Sequence, residues 1–147
     1  MTNILEVLTD EKSRTNFMRG LINLSKAEES REGSVGINTE EMTFLKNAML
    51  ALNLPEYTQR ELETFVRSKD NAINVSFETK RQALFFLREG MQICYIEGQY
   101  YQTEKDMIEE MAKMLGVSCE TVKKIEQWVR EGIEWSARGE EILEMEG

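Results

Sequence analysis

Residues 37–66 read INTEEMTFLKNAMLALNLPEYTQRELETFV, and residues 100–129 read YYQTEKDMIEEMAKMLGVSCETVKKIEQWV. The two segments align without a gap at a shift of 63 residues. Glu41 falls on Glu104, Phe44 on Met107, Leu45 on Ile108, Ala48 on Met111 and Leu52 on Leu115. After the turn, Leu54 falls on Val117, Thr58 on Thr121, Leu62 on Ile125, Phe65 on Trp128 and Val66 on Val129. Any two amphipathic helices align by their period, but here capping position, apolar face and turn length agree together. Upstream the shift becomes 70, with Gly20-Leu21 on Gly90-Met91, so the first half carries a loop seven residues longer. The pattern predicts an internal duplication of a three-helix unit. One such unit cannot bury its apolar face alone, so two must share a core. The expected fold is all-α, a single domain of about six to seven helices. Repeat A covers about 13–69, repeat B about 77–130, and an extended acidic C-terminal helix about 131–144.

Helical spacing runs through the chain and no stretch keeps strand alternation. A helix from Thr9 to about Ser30 turns Phe17, Met18, Leu21 and Leu24 inward. Asn38 to Glu41 has the form of a capping box, in which cap side chain and acid satisfy free amides reciprocally. The helix it opens runs to about Leu52, with Phe44, Leu45, Ala48 and Leu52 on one face. Thr58 to Glu61 has the same form and opens a helix that buries Leu62, Phe65 and Val66. SKDNAINV is a polar linker at the midpoint. Ser76 is the expected cap of a helix over 77–97, apolar on so wide an arc (Phe77, Ala83, Leu84, Phe86, Leu87, Met91, Cys94) that it reads as nearly surrounded. Met107, Ile108, Met111, Met114 and Leu115 face inward on a helix from Thr103 to Leu115. Gly116 ends it, and Ser118 caps a last helix from Cys119 to about Leu143.

The chain has 147 residues, one ordinary domain, with 41% hydrophobic and 31% charged residues. A domain this long needs no metal or disulfide merely to fold. Its net charge is −9. Residues 1–73 hold 9 basic and 12 acidic side chains, net −3, and residues 74–147 hold 9 and 15, net −6. Such a surface repels nucleic-acid phosphates and anionic lipid. Two isolated cysteines, no basic-then-apolar N-terminal segment and no apolar run near the ~20 residues of a membrane span point to a cytoplasmic protein without direct membrane insertion.

MIEEMAKMLGVSCETVKKI, residues 107–125, has the outline of a helix-turn-helix. Residues 103–131 carry five basic and seven acidic side chains, net −2. A recognition helix comes with several phosphate contacts from Lys and Arg. The counterpart of LGVS in the first half is LNLP, so the motif reads as a structural turn used twice. A transcriptional regulator using 107–129 is the alternative, and no nucleic acid is the expectation.

With no histidine, the usual triads and zinc sites are unavailable. GSVG lacks the lysine of a phosphate loop. Cys94 and Cys119 read as small core filling. The last helix holds the strongest interaction signal. Trp128, Trp135 and Ile142 recur every seven residues, with Gly132 and Gly139 between them. Each glycine inside a helix costs ~1 kcal/mol against alanine, so two on one stripe imply close packing, against the core or a partner. Trp128 matches Phe65 and reads as core. Trp135, Gly132, Gly139 and Ile142 form the expected partner face, for a protein partner or a homo-oligomer. The alternative is that the glycines break the helix and leave a frayed acidic tail.

Tyr95-Ile96-Glu97-Gly98-Gln99-Tyr100-Tyr101-Gln102-Thr103-Glu104 resembles the motif of the TerB-like tellurite-resistance family, and the downstream helix, LGVS turn and acidic last helix do too. Glu97 stands in the family's Asp place, Gly98 and Glu104 are kept, and Tyr100 takes the apolar place. The resemblance is best over about 90–135. In the first half Glu41 remains, while Ser34 and Val35 occupy the Asp-Gly places. Membership would imply an all-α fold, a cytoplasmic stress-response setting, no enzymatic activity, and acidic positions that bind a divalent metal, Ca²⁺ or Mg²⁺. Glu97 and Glu104 are the candidate ligands, with Glu41 their counterpart in repeat A; as a solvated helix-end acid and a helix-start acid they need no ion. The expected function is a non-enzymatic interaction or sensor domain, with a metal-assisted hydrolase built on clustered carboxylates as the remaining alternative.

Overall fold

The computed structural model describes residues 3–32, 39–70, 72–96 and 102–146, with side chains at 28–32, 40, 41 and 96 left out of the description. Among the described residues there are seven helices and no strand: α1 (Ile4–Val7), α2 (Glu11–Glu32), α3 (Thr39–Ala51), α4 (Glu56–Arg67), α5 (Lys80–Ile96), α6 (Gln102–Met114) and α7 (Cys119–Leu143). None of them is long and apolar enough to cross a membrane.

Local chemistry sets the boundaries. Asn3 caps α1, its side chain accepting from the Leu5 N–H at 2.9 Å. The sequence offered no signal for this short turn. Asp10 opens α2 by accepting from the Ser13 N–H at 2.8 Å, and its own N–H donates to Ser13 Oγ at 3.4 Å. The bonds from Ser13 hold the Asp10 carboxyl below the usual range. Two expected boundaries shift. α4 starts at Glu56, with Pro55 before it, because proline fixes the extended entry. Thr58 is therefore inside the helix, buried, donating to Glu11 Oε1 at 2.9 Å. α5 starts at Lys80, where Thr79 Oγ1 accepts from the Gln82 N–H at 3.1 Å. The Ser76 carbonyl instead accepts from Asn16 Nδ2 at 3.0 Å. Asn38, the expected cap of α3, lies outside the described residues.

The turns after α3 and α6 match bond for bond. Asn53 N–H donates to the Leu50 carbonyl at 3.0 Å and Leu54 N–H to that of Met49 at 3.2 Å. Gly116 N–H donates to the Lys113 carbonyl at 3.1 Å and Val117 N–H to that of Ala112 at 2.8 Å. Asn53 (φ 53°) and Gly116 (φ 70°) both take the left-handed conformation that ends a helix this way. Leu54 and Val117 are both buried at the step that follows.

Two helices share the centre. α2 packs against α3, α4, α5 and α6, and α5 packs against α1, α2, α6 and α7. The breadth of the α5 apolar arc is thus explained, but α2 is surrounded as fully. Phe17, Met18, Leu21 and Leu24 of α2 meet Phe86, Leu87 and Met91 of α5 in one buried core. Gly20 lies where the helices pass closely: a Cβ there would stand 2.3 Å from the Phe86 ring. The linker after α4 is stitched along α2. Lys26 Nζ donates to the carbonyls of Ser68 at 3.2 Å and Asp70 at 2.9 Å, and Asn23 Nδ2 to that of Ala72 at 3.2 Å. Lys26 Nζ also sits 4.0 Å from the Phe65 ring centroid, a cation–π contact that leaves Phe65 half-buried.

Candidate functional site

α7 is two helices in one. Ser118 caps its start, accepting from the Thr121 N–H at 3.2 Å, and Lys80 Nζ donates to the Leu115 and Gly116 carbonyls at 3.1 and 2.7 Å. In the first half Val122 and Val129 are buried against the body. Arg130 ties this half down. Its Nε donates to Tyr95 Oη at 3.0 Å and its Nη2 pairs with Glu126 at 2.9 Å. The Tyr95 bond and then its charge raise the Arg130 pKa further above its already high ordinary value. From Arg130 to Glu146 every side chain is exposed, yet the helix continues unbroken to Leu143. The thirteen residues from Glu131 to Leu143 make a projection of about 20 Å.

The glycines therefore do not break the helix and leave no frayed tail over its length. Nor do they pack on the protein's own core: a Cβ at Gly132 or Gly139 would meet nothing within 4 Å. Trp135 is 71% exposed, Ile142 64% and Leu143 73%. Trp128 is not core either. It is 48% exposed, with the Arg88 guanidinium 5.0 Å from its ring centroid. Its counterpart Phe65 has α2 across from it, whereas Trp128 sits at the rim of an open groove.

That groove, about 1210 Å³, lies between α3, α5 and α7. Phe44 and Ala48 form one wall, Phe85 and Ile93 the floor, and Trp128, Gly132 and Trp135 the far wall. Phe44, expected inward, is exposed on this wall, while its neighbour Met49 is buried in the core. Ile133 and Met145 add exposed apolar surface that the heptad reading missed, although their exposure needs only a helix without a neighbour to explain it. Met114 is exposed rather than inward, while Ala112 on the same helix is buried.

The other expected site residues separate. Glu97 lies outside the described residues, and so does the side chain of Glu41. Glu104 is in the first turn of α6 and is only 2% exposed. It lines a small pocket with Ser25 and Cys94, about 10 Å³, room for about one water. Among the described residues no three of Asp, Glu, Cys and His gather as a metal site. Cys94 is buried as filling, but Cys119 is exposed at the start of α7 and fills nothing. No family model, curated protein or solved structure matches this chain.

Proposed function

We propose that this chain is a non-enzymatic interaction domain, built from two related three-helix units, that docks a protein through α7 and the groove beside it. The observation that carries the reading is the projecting half of α7, where Trp135, Ile142 and Leu143 stand in solvent on a continuous helix. Single exposed apolar residues are ordinary, but a contiguous apolar stripe that runs into a groove marks an interaction surface. A helix with no neighbour gains nothing from tryptophan, whose burial is worth most at the centre of an interface. The matching turns at Asn53 and Gly116 support the duplication. The resemblance to the TerB-like family over 90–135 supports a helical module of the same type in a stress-response setting. Nucleic acid is the poorer fit, because the exposed pair Lys123 and Lys124 stands between Glu120 and Glu126.

The test is a photo-crosslinking residue placed at Ser136, on the groove wall, with Lys69 on the opposite linker as control. In cells, the Ser136 position is expected to give a discrete adduct that the Lys69 position does not. An absence of adducts at Ser136 would overturn the reading.

A further inference from the structure

We infer that the occupant of this surface is a second copy of the chain, bound by antiparallel pairing of two α7 helices about a twofold axis between Ile133 and Glu134. The inference rests on the interaction reading above and names its partner.

Two rows run along the exposed side of α7. Ile125, which is half-buried against the core, Gly132 and Gly139 form one at seven-residue spacing, and the exposed Trp128, Trp135 and Ile142 form the other, three residues further on. This is the a/d seam of a heptad, with small residues in one row and large ones in the other. In an antiparallel twofold pair the numbers of two facing residues have a constant sum, and a faces d. For a sum of 267, Trp135 faces the partner's Gly132, Trp128 faces the partner's Gly139, and Ile125 faces the partner's Ile142. Every tryptophan then meets a glycine. The glycine positions are open in the single chain, so the indoles have space to enter. A slip of one heptad, to a sum of 274, sets Trp128 against the partner's Glu146 and Ile142 against the partner's Gly132. Parallel pairing sets tryptophan against tryptophan and glycine against glycine, so rings clash beside voids.

The flanks agree with the same register. On one side Glu131 lies beside the partner's Arg138, and Arg138 beside the partner's Glu131, two symmetric opposite-charge pairs. All of these side chains are exposed and available. On the other side lie Ser136 and Leu143, both exposed; the partner's Val129 and the partner's Val122 at that level are buried against its own body and add no contact. Ser136 lines the groove, so this is the groove side, across from the wall on which Phe44 stands exposed. Such self-complementarity is what a twofold interface requires, since each contact must occur twice. A lone partner protein would not need tryptophans and glycines paired about the point between residues 133 and 134, with opposite charges flanking it.

Sedimentation of the full chain over roughly 1–300 µM tests this, because an interface of two helices is expected in the micromolar range. The expected result is a shift from one chain mass to two across that range. Glu131→Arg or Arg138→Glu alone should weaken association about tenfold or more, since each turns both pairs into like charges. The double reversal Glu131→Arg/Arg138→Glu should restore it. Gly132→Leu, a substitution that suits a helix and meets open space within the chain, should abolish pairing while leaving the fold intact by circular dichroism. A single chain mass throughout, a dimer indifferent to these variants, or a double reversal that fails to restore pairing would each overturn the inference. A chain that stays monomeric yet crosslinks at Ser136 to another protein would overturn self-pairing alone and leave the interaction reading standing.

Discussion

Gly20→Ala is expected to destabilise the protein although it replaces the poorest helix former after proline with the best. The new Cβ would stand 2.3 Å from the Phe86 ring, and ordinary contact begins at 3.4 Å, so 3.4 less 2.3 leaves 1.1 Å to be found by displacement. Phe86 cannot easily supply it. The ring is fully buried, with the centroids of Phe17 at 5.8 Å and Phe77 at 5.6 Å. Overpacking of a filled core costs about 1–3 kcal/mol, and a held ring places this site near the upper end. The intrinsic gain of alanine over glycine is about 1 kcal/mol. The net loss is then about 2 kcal/mol. At about 2–4 °C per kcal/mol for a chain near this size, the melting midpoint should fall by about 4–8 °C. Urea denaturation at one low protein concentration measures the loss, and a double-mutant cycle with Phe86→Leu assigns its cause. In the Phe86→Leu background the added methyl meets a shorter side chain, so its cost should fall below about 0.5 kcal/mol or become a gain. An equal loss in both backgrounds would refute the clash as the reason for a glycine at this crossing.

Lys26→Met should lower stability by about 2 kcal/mol, since bonds from a charged donor are worth about 1.5–3 kcal/mol each but water can reach the exposed Ser68 and Asp70 acceptors. Amide exchange at 68–76 should quicken at the same time, and an unchanged rate would show that Lys26 does not pin the linker. Asp10 makes a pH prediction. Its folded-state pKa is depressed by the bonds from Ser13, so its contribution is present above the unfolded pKa and is lost as pH falls through the folded one. The stability difference between the native chain and Asp10→Ala should therefore shrink below about pH 4, where an ordinary carboxyl begins to protonate. A difference that stays constant between neutral and strongly acidic pH, followed by urea titration, would refute it.

Much of this protein is decided within a few residues of chain. Ser118 and Gly116 set the start of α7 and the end of α6 because a cap and a left-handed turn are local bonds, readable from residue type. The turns after α3 and α6 are equally local, each closed by a left-handed residue, Asn53 or Gly116. Local signals also misled where two competed: Pro55 outranked Thr58 at the start of α4, and Thr79 outranked Ser76 at the start of α5. What no local signal carries is which apolar face finds a neighbour. Phe65 and Trp128 hold equivalent places in the pattern, yet α2 lies across from one and an open groove from the other. Gly20 and Gly132 are both glycines in mid-helix, yet a Cβ at one would strike a buried ring and at the other would meet nothing within 4 Å. Periodicity specifies that a helix has an apolar side; only the packing of distant segments determines whether that side is already covered. The candidate site was legible as a stripe on the last helix. Its exposure was decided by the tertiary structure, because burial depends on every element around a side chain and not on the chain to either side of it.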